Sequence, residues 1–246
     1  MKIGGDTYHD VRKNKYHDAG TEYFLNLLQI FLKPHMRLFV YKGIKMKQEL
    51  SKVNYRINIT QYTFQEYAEY FNTFHGRKLL IKTENEDILL KMDNNNLPHL
   101  IGLHYAYDKL EHQKKYKGKK GFELLLNNEI TIAEFRNRVK KNNKHFATKK
   151  SISWDMILDR IEWLPFFFNS ITKKTRLREN KANRLVNSSL NGNYFYFKVE
   201  ENLYLILSCK KINKNFILES FIVYDNIRYL GDLDELNIID VYWKDE

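Results

Sequence analysis

The chain has 246 residues, a formal net charge of +11, 43% apolar and 15% aromatic residues, and only three prolines and ten glycines. That much apolar side chain supports a real core, so wholesale disorder is excluded and long structureless loops are not expected. The longest unbroken apolar run, Trp163-Leu164-Pro165-Phe166-Phe167-Phe168, is far too short to span a bilayer, and Met1 to Lys15 lacks an apolar signal-peptide core.

Cys209 is the single cysteine, which rules out an internal disulfide and a cysteine-based zinc site. The expectation is a soluble, cytoplasmic protein with no membrane partner. The charge is unevenly placed. Lys109 to Lys150 holds thirteen Lys or Arg against four acids, a net of +9, whereas Glu219 to Glu246 holds eight acids against two bases, a net of −6. A basic block of this kind attracts polyanions and speeds their encounter, so nucleic acid is the expected partner.

In chain order, residues 1–20 read as a polar lead-in. Thr21 to Leu32 carries a helical apolar face stopped by Pro34, and Met36 to Lys42 suits a short strand. Thr63-Phe64-Gln65-Glu66 has capping-box spacing and predicts a helix to about Phe74. Lys78–Lys82 and Ile88–Met92 read as two strands joined by a polar turn. Asn96 as N-cap with Pro98 in the first turn predicts a helix from about Leu97 to Gln113. Thr131-Ile132-Ala133-Glu134 is a second capping box, opening a basic helix to about Lys141. Ser153 caps the strongest helix, with Trp154, Ile157, Leu158, Ile161, Leu164 and Phe168 at helical spacing and a kink expected at Pro165.

The pattern then changes to strands. Asn191-Gly192 between apolar segments is a hairpin signal. Leu185–Leu190, Tyr194–Val199 and Leu203–Cys209 suggest an antiparallel meander, followed by strands at Phe216–Val223 and Ile238–Trp243. Helices first and a sheet second argue for an α+β fold.

The stretch "DILLKMDNNNLPHLIGLHY" resembles the phage-associated nuclease-like domains grouped with barnase, EndoU, colicin and RelE ribonucleases (the BECR superfold). A hairpin leads there into an "HLxGL" motif, matched by His99, Leu100, Gly102 and Leu103. A later "RI" pair matches Asp159-Arg160-Ile161, and "YLxL" with "ESFxxxxxxxY" matches Tyr204 to Leu207 and Glu219 to Tyr229. The resemblance implies a helical N-terminal half followed by a small, mainly antiparallel sheet. It divides the chain into an N-terminal extension with one helix (1–55) and a nuclease domain (56–246). It also implies a metal-independent endoribonuclease or toxin-like RNase of a phage or mobile element, acting in the bacterial cytoplasm on tRNA or mRNA. A host protein or antitoxin is a further possible partner; no cofactor is expected.

Metal-independent RNA cleavage needs a base for the 2′-hydroxyl, an acid for the leaving 5′-oxygen, and cations for the phosphorane. His99 is the first choice for base or acid. In the first turn of a helix, backbone N–H groups and the dipole would favour a phosphate and hold the imidazole neutral. On a continuous helix His104 points about 140° away from His99, so the two should not cooperate. His104, Asp108 and His112 instead form a ridge at four-residue spacing; it matches no recognised metalloenzyme pattern, and no metal is predicted.

Lys210, Ser220, Arg228 and Tyr229 are the remaining catalytic candidates, from the segment that carries the resemblance. Lys91, His104, Lys114, Lys115, Lys117, Lys119, Lys120, Arg138, Lys140 and Lys141 are the expected nucleic-acid contacts. Tyr194 and Tyr196 alternate with Phe195 and Phe197, which could expose a tyrosine face to bases while the phenylalanines enter the core. Trp154 and Trp163 read as helix packing and Cys209 as a small buried residue. Arg138 and His145 also resemble the paired residues of the all-helical HEPN ribonucleases, against which the β-rich second half argues. The competing class is a non-catalytic binder of nucleic acid or of a host protein on a degenerate nuclease fold.

Overall fold

The computed structural model describes residues 48–106, 114–145, 152–172, 175–180, 192–212, 215–226, 230–231 and 233–245, at 143–145 the backbone only. The helix expected at Thr21–Leu32 and the strands at Met36–Lys42 and Leu185–Leu190 lie outside these residues. Residues 48–246 cluster as one compact unit.

Helix starts follow the capping signals. Thr63 Oγ1 accepts from the Glu66 N–H at 3.2 Å and Glu66 Oε2 accepts from the Thr63 N–H at 2.8 Å, opening α1 (Phe64–Asn72). The same exchange between Thr131 and Glu134 opens α4 (Ile132–His145). Ser153 accepts from the Met156 N–H at the head of α5 (Trp154–Ser170). Between them, α2 (Leu97–Leu100) is one turn long, and α3 (Gly118–Leu126) was not expected because Lys117 offers no side-chain cap.

Pro165 lies inside α5 and has no N–H to give the Ile161 carbonyl. The Tyr67 hydroxyl of α1 donates to that carbonyl at 2.5 Å, and the Tyr70 hydroxyl donates to the Pro165 carbonyl at 3.2 Å. A gap in one helix thereby becomes the docking point of another.

Eight strands form one sheet in the order β7-β3-β4-β5-β6-β2-β1-β8. They are β1 (Lys78–Thr83), β2 (Asp87–Lys91), β3 (Arg176–Glu179), β4 (Tyr194–Glu200), β5 (Leu203–Ile212), β6 (Asn215–Tyr224), β7 (Asp234–Leu236) and β8 (Ile238–Lys244). All neighbours are antiparallel except β2 and β6, where Leu90 faces Phe216 in parallel. Asn237 alone separates β7 from β8, yet they occupy opposite ends of the sheet: Leu236 pairs with Leu177, Ile238 with Thr83. Two extended residues span only about 7 Å. The two ends must therefore meet, and the sheet curls into a nearly closed, barrel-like form.

Two expectations are corrected here. The sheet is not small, having eight strands among the described residues, and the β1–β2 hairpin that belongs to it precedes α2 to α5 in the chain. The tyrosine face is also overturned. Tyr194 and Tyr196 are 4% and 0% exposed, Tyr194 against Phe216 and Tyr196 against α5, while Phe195 and Phe197 fill a second cluster with Leu230 and Leu233. Both faces of β4 are covered, so neither is left for bases. Phe167 of α5 sits against Tyr196 and Phe221, and Tyr194 donates to Glu86 in the β1–β2 turn. Trp154, Trp163 and Cys209 are core residues, as expected.

Candidate active site

The continuous helix expected from Leu97 to Gln113 is not formed. It stops after Leu100, the chain turns at Gly102 with φ +73°, and Leu103–Ala106 continues as a 3-10 turn; residues 107–113, with Asp108 and His112, lie outside the described residues. The Gly102 N–H bonds back to the His99 carbonyl at 3.0 Å, and the Tyr105 N–H bonds to the Gly102 carbonyl at 2.9 Å. A left-handed residue at this point suits glycine, which carries no Cβ to clash.

This reversal overturns the separation expected of the two histidines. The rings of His99 and His104 are stacked, their centroids 4.8 Å apart and their planes 11° from parallel. Tyr105 continues the column at 4.0 Å from His104, and the Arg160 guanidinium lies 5.8 Å from the Tyr105 ring centre. Four side chains from three separate elements, α2, the 3-10 turn and α5, thus form one stack.

Charge on this stack is one-sided. Burial lowers the His99 pKa to about 4, helped by Lys117 and then Arg160. His104 is lowered further, to about 3, by burial first and then by His99, Lys117 and Arg160. The neutral imidazole expected at His99 is therefore produced by desolvation and cations; the helix end expected to supply it is a single turn. Arg160 is 7% exposed and interacts with Tyr105 and Tyr224, with no carboxylate partner among the described residues. Buried cations are normally paired. His104 Nδ1 is buried without a partner there as well. Cations therefore sit beside neutral imidazole acceptors, a chemistry suited to an anion.

Lys117 is exposed yet close enough to lower both histidines, because α3 packs closely on α2. A Cβ on Gly121 would stand 2.6 Å from the Tyr116 carbonyl carbon and 2.9 Å from Pro98 Cβ. Lys114, Lys115, Lys119 and Lys120 flank this turn and are exposed, as are Arg138, Lys140 and Lys141 on α4. Asn142 of α4 donates to the Tyr105 carbonyl at 3.3 Å, tying the basic helix to the histidine turn.

The other candidates are placed elsewhere. Lys91 is exposed at the end of β2, Lys210 is exposed opposite Ile217, and Ser220 is buried opposite Ser208. Among the described residues neither Lys210 nor Ser220 makes a hydrogen bond or ion pair with the histidines. Arg228, Tyr229 and the His145 side chain lie outside the described residues. Sequence reasoning missed Tyr105 and gave Arg160 no role. A signal for Arg160 existed: it interrupts the apolar stripe of Ile157, Ile161 and Leu164, where a charge is costly unless used. Comparisons with protein-family models, with curated proteins and with solved structures found no match.

Proposed function

We propose that this chain is an endoribonuclease cleaving RNA by attack of a 2′-hydroxyl on the adjacent phosphate, with the histidine stack as its centre. The observation that carries this reading is the stack of two imidazoles closed by Tyr105 and Arg160, with cations and no described carboxylate around it. His99, the less buried imidazole and neutral at pH 7, takes the 2′-hydroxyl proton. The 2′-oxygen bonds to phosphorus, the bond to the 5′-oxygen breaks, and the products are a 2′,3′-cyclic phosphate and a 5′-hydroxyl. Arg160 and Lys117 carry the charge of the phosphorane. A bound phosphate raises the proton affinity of the pair, so the other imidazole, His104, is protonated in the complex and gives its proton to the leaving 5′-oxygen while His99 keeps the one it took.

The resemblance to phage-associated nucleases and the exposed lysines from Lys114 to Lys120 point the same way, toward tRNA or mRNA in a bacterial cell. No helix among the described residues is long and apolar enough to cross a membrane. The depth of His104 and Arg160, 6% and 7% exposed, favours the second reading: a binder that holds nucleic acid on its lysines, or engages a host protein or antitoxin, without turnover.

End-labelled bulk tRNA and mRNA incubated with purified protein in EDTA separate the two. Cyclic-phosphate products with the parent protein, absent with His99→Ala and Arg160→Met, are expected. RNA that is shifted on a native gel but stays intact would replace the enzyme with the binder.

A further inference from the structure

Helices α4 and α5 turn matching faces toward a shared cleft of about 600 Å³, whose floor is the turn from Asn58 to Tyr62. Arg136 and Lys140, one turn apart, line the α4 wall, and Trp154, Asp155 and Leu158 line the α5 wall. Leu158 and Arg160 are two residues apart, about 200° around a helix. The cleft therefore lies on the far side of α5 from Arg160 and is separate from the histidine stack.

Three features of the lining are unused by the fold. Arg136 and Lys140 are exposed and make no ion pair among the described residues. Asp155, exposed on the α5 wall, makes none either, so the cleft is lined by charges of both signs that the fold leaves unpaired. The Asn58 carboxamide oxygen accepts from the Thr60 N–H and hydroxyl at 3.1 and 2.7 Å, while its NH2 has no bond among the described residues. Glu162, at the inner end, is already neutralised: it accepts from Arg56 Nε at 2.8 Å and from the Ile59 N–H at 3.3 Å.

We infer that the α4–α5 cleft is a nucleotide-binding site, with phosphate on Arg136 and Lys140, the ring against Leu158 and the rim that Trp154 leaves at the cleft, and an exocyclic amino group donating to Asp155. An inorganic anion would use the two cations and leave the apolar wall empty. An acidic peptide would meet Asp155 with like charge. A nucleotide uses all three kinds of surface at once, and the volume is that of a small-molecule site. Carboxylates accept from base amino groups, so adenine, cytosine and guanine are favoured over uracil, which has none.

The inference stands apart from the cleavage reading and is tested on the full chain by calorimetric titration with AMP, GMP, CMP, UMP and inorganic phosphate. Amino-bearing nucleotides should bind at least roughly fivefold more tightly than UMP or phosphate. Arg136→Glu with Lys140→Glu should weaken them by roughly tenfold or more. His99→Ala should leave that affinity unchanged even if it abolishes RNA cleavage. Because both cations are exposed, the thermal midpoint should hold; if it falls, the Arg136→Gln/Lys140→Gln pair is the variant to read. Failure of every nucleotide to bind, equal binding of phosphate, indifference to the cation variants, or loss on His99→Ala overturns the site. Tighter binding of a hexaglutamate peptide than of any nucleotide would overturn it in favour of an acidic protein segment.

Discussion

A Cβ at residue 102 would stand 2.9 Å from Tyr105 Cδ2, on a backbone whose φ of +73° already disfavours one. Gly102→Ala must therefore displace Tyr105 and, with it, the ring stack. The expected cost is about 1–2 kcal/mol of stability, read by urea unfolding, with RNA cleavage reduced well beyond what that loss explains. Arg160→Met should behave oppositely. A buried guanidinium without a carboxylate gains little for the fold, so stability should hold or rise by about 1 kcal/mol while RNA turnover disappears. The histidines also predict an acid sensitivity. Their folded pKa values, about 4 and about 3, lie below the ordinary 6.5, so the unfolded chain binds more protons between those limits. Their contribution is complete above pH 6.5 and is lost as pH falls toward 4 and below, on the order of a few kcal/mol in total. Urea midpoints measured from pH 7 to 4 should fall more steeply for the parent than for His104→Leu; parallel curves would refute this. His99 and Lys117 were legible as candidates from their chemistry, and they meet at the candidate site. Tyr105 carried no signal, and the meeting of His99 with His104 was hidden because a single left-handed glycine voids the helical angle between them.

Among the elements, those with a local stop or start were the readable ones. Thr63, Thr131 and Ser153 each open a helix with the hydrogen bond their spacing announces. The α3 start has no such side chain and gives no signal, and Leu97 to Gln113 reads as one helix because Gly102 resembles a tolerated interior residue. Pro165 was expected as a kink; its larger effect is to free the Ile161 carbonyl for Tyr67. Tyr67→Phe keeps the ring and strands that carbonyl in the core between α1 and α5. A loss of about 1–3 kcal/mol is expected, measurable by thermal or urea unfolding, and an unchanged midpoint would show that the carbonyl finds another donor.

Across the whole molecule, the α+β class was legible but the nearly closed sheet was not, since pairing between distant strands leaves no local pattern. Alternation in Ile238–Trp243 shows a strand; it cannot show that its partner begins at Lys78. Trp243 anchors this pairing, 5.2 Å from Phe74 and with the Arg77 guanidinium 5.1 Å from its ring centre. Trp243→Ala should cost about 2–4 kcal/mol and speed proteolytic cleavage near β1 and β8 under native conditions; cleavage confined to other regions would count against β8 as the closing strand.

The single residue between β7 and β8 has a kinetic consequence. As the chain is made, β1 emerges early with its outer edge unpaired and keeps it so until residues beyond 237 arrive to seal both rims together. Contacts so remote in sequence are slow to form, and an open rim is a template for other chains. Refolding should end in a slow, concentration-sensitive step in which the last strand pairing competes with aggregation.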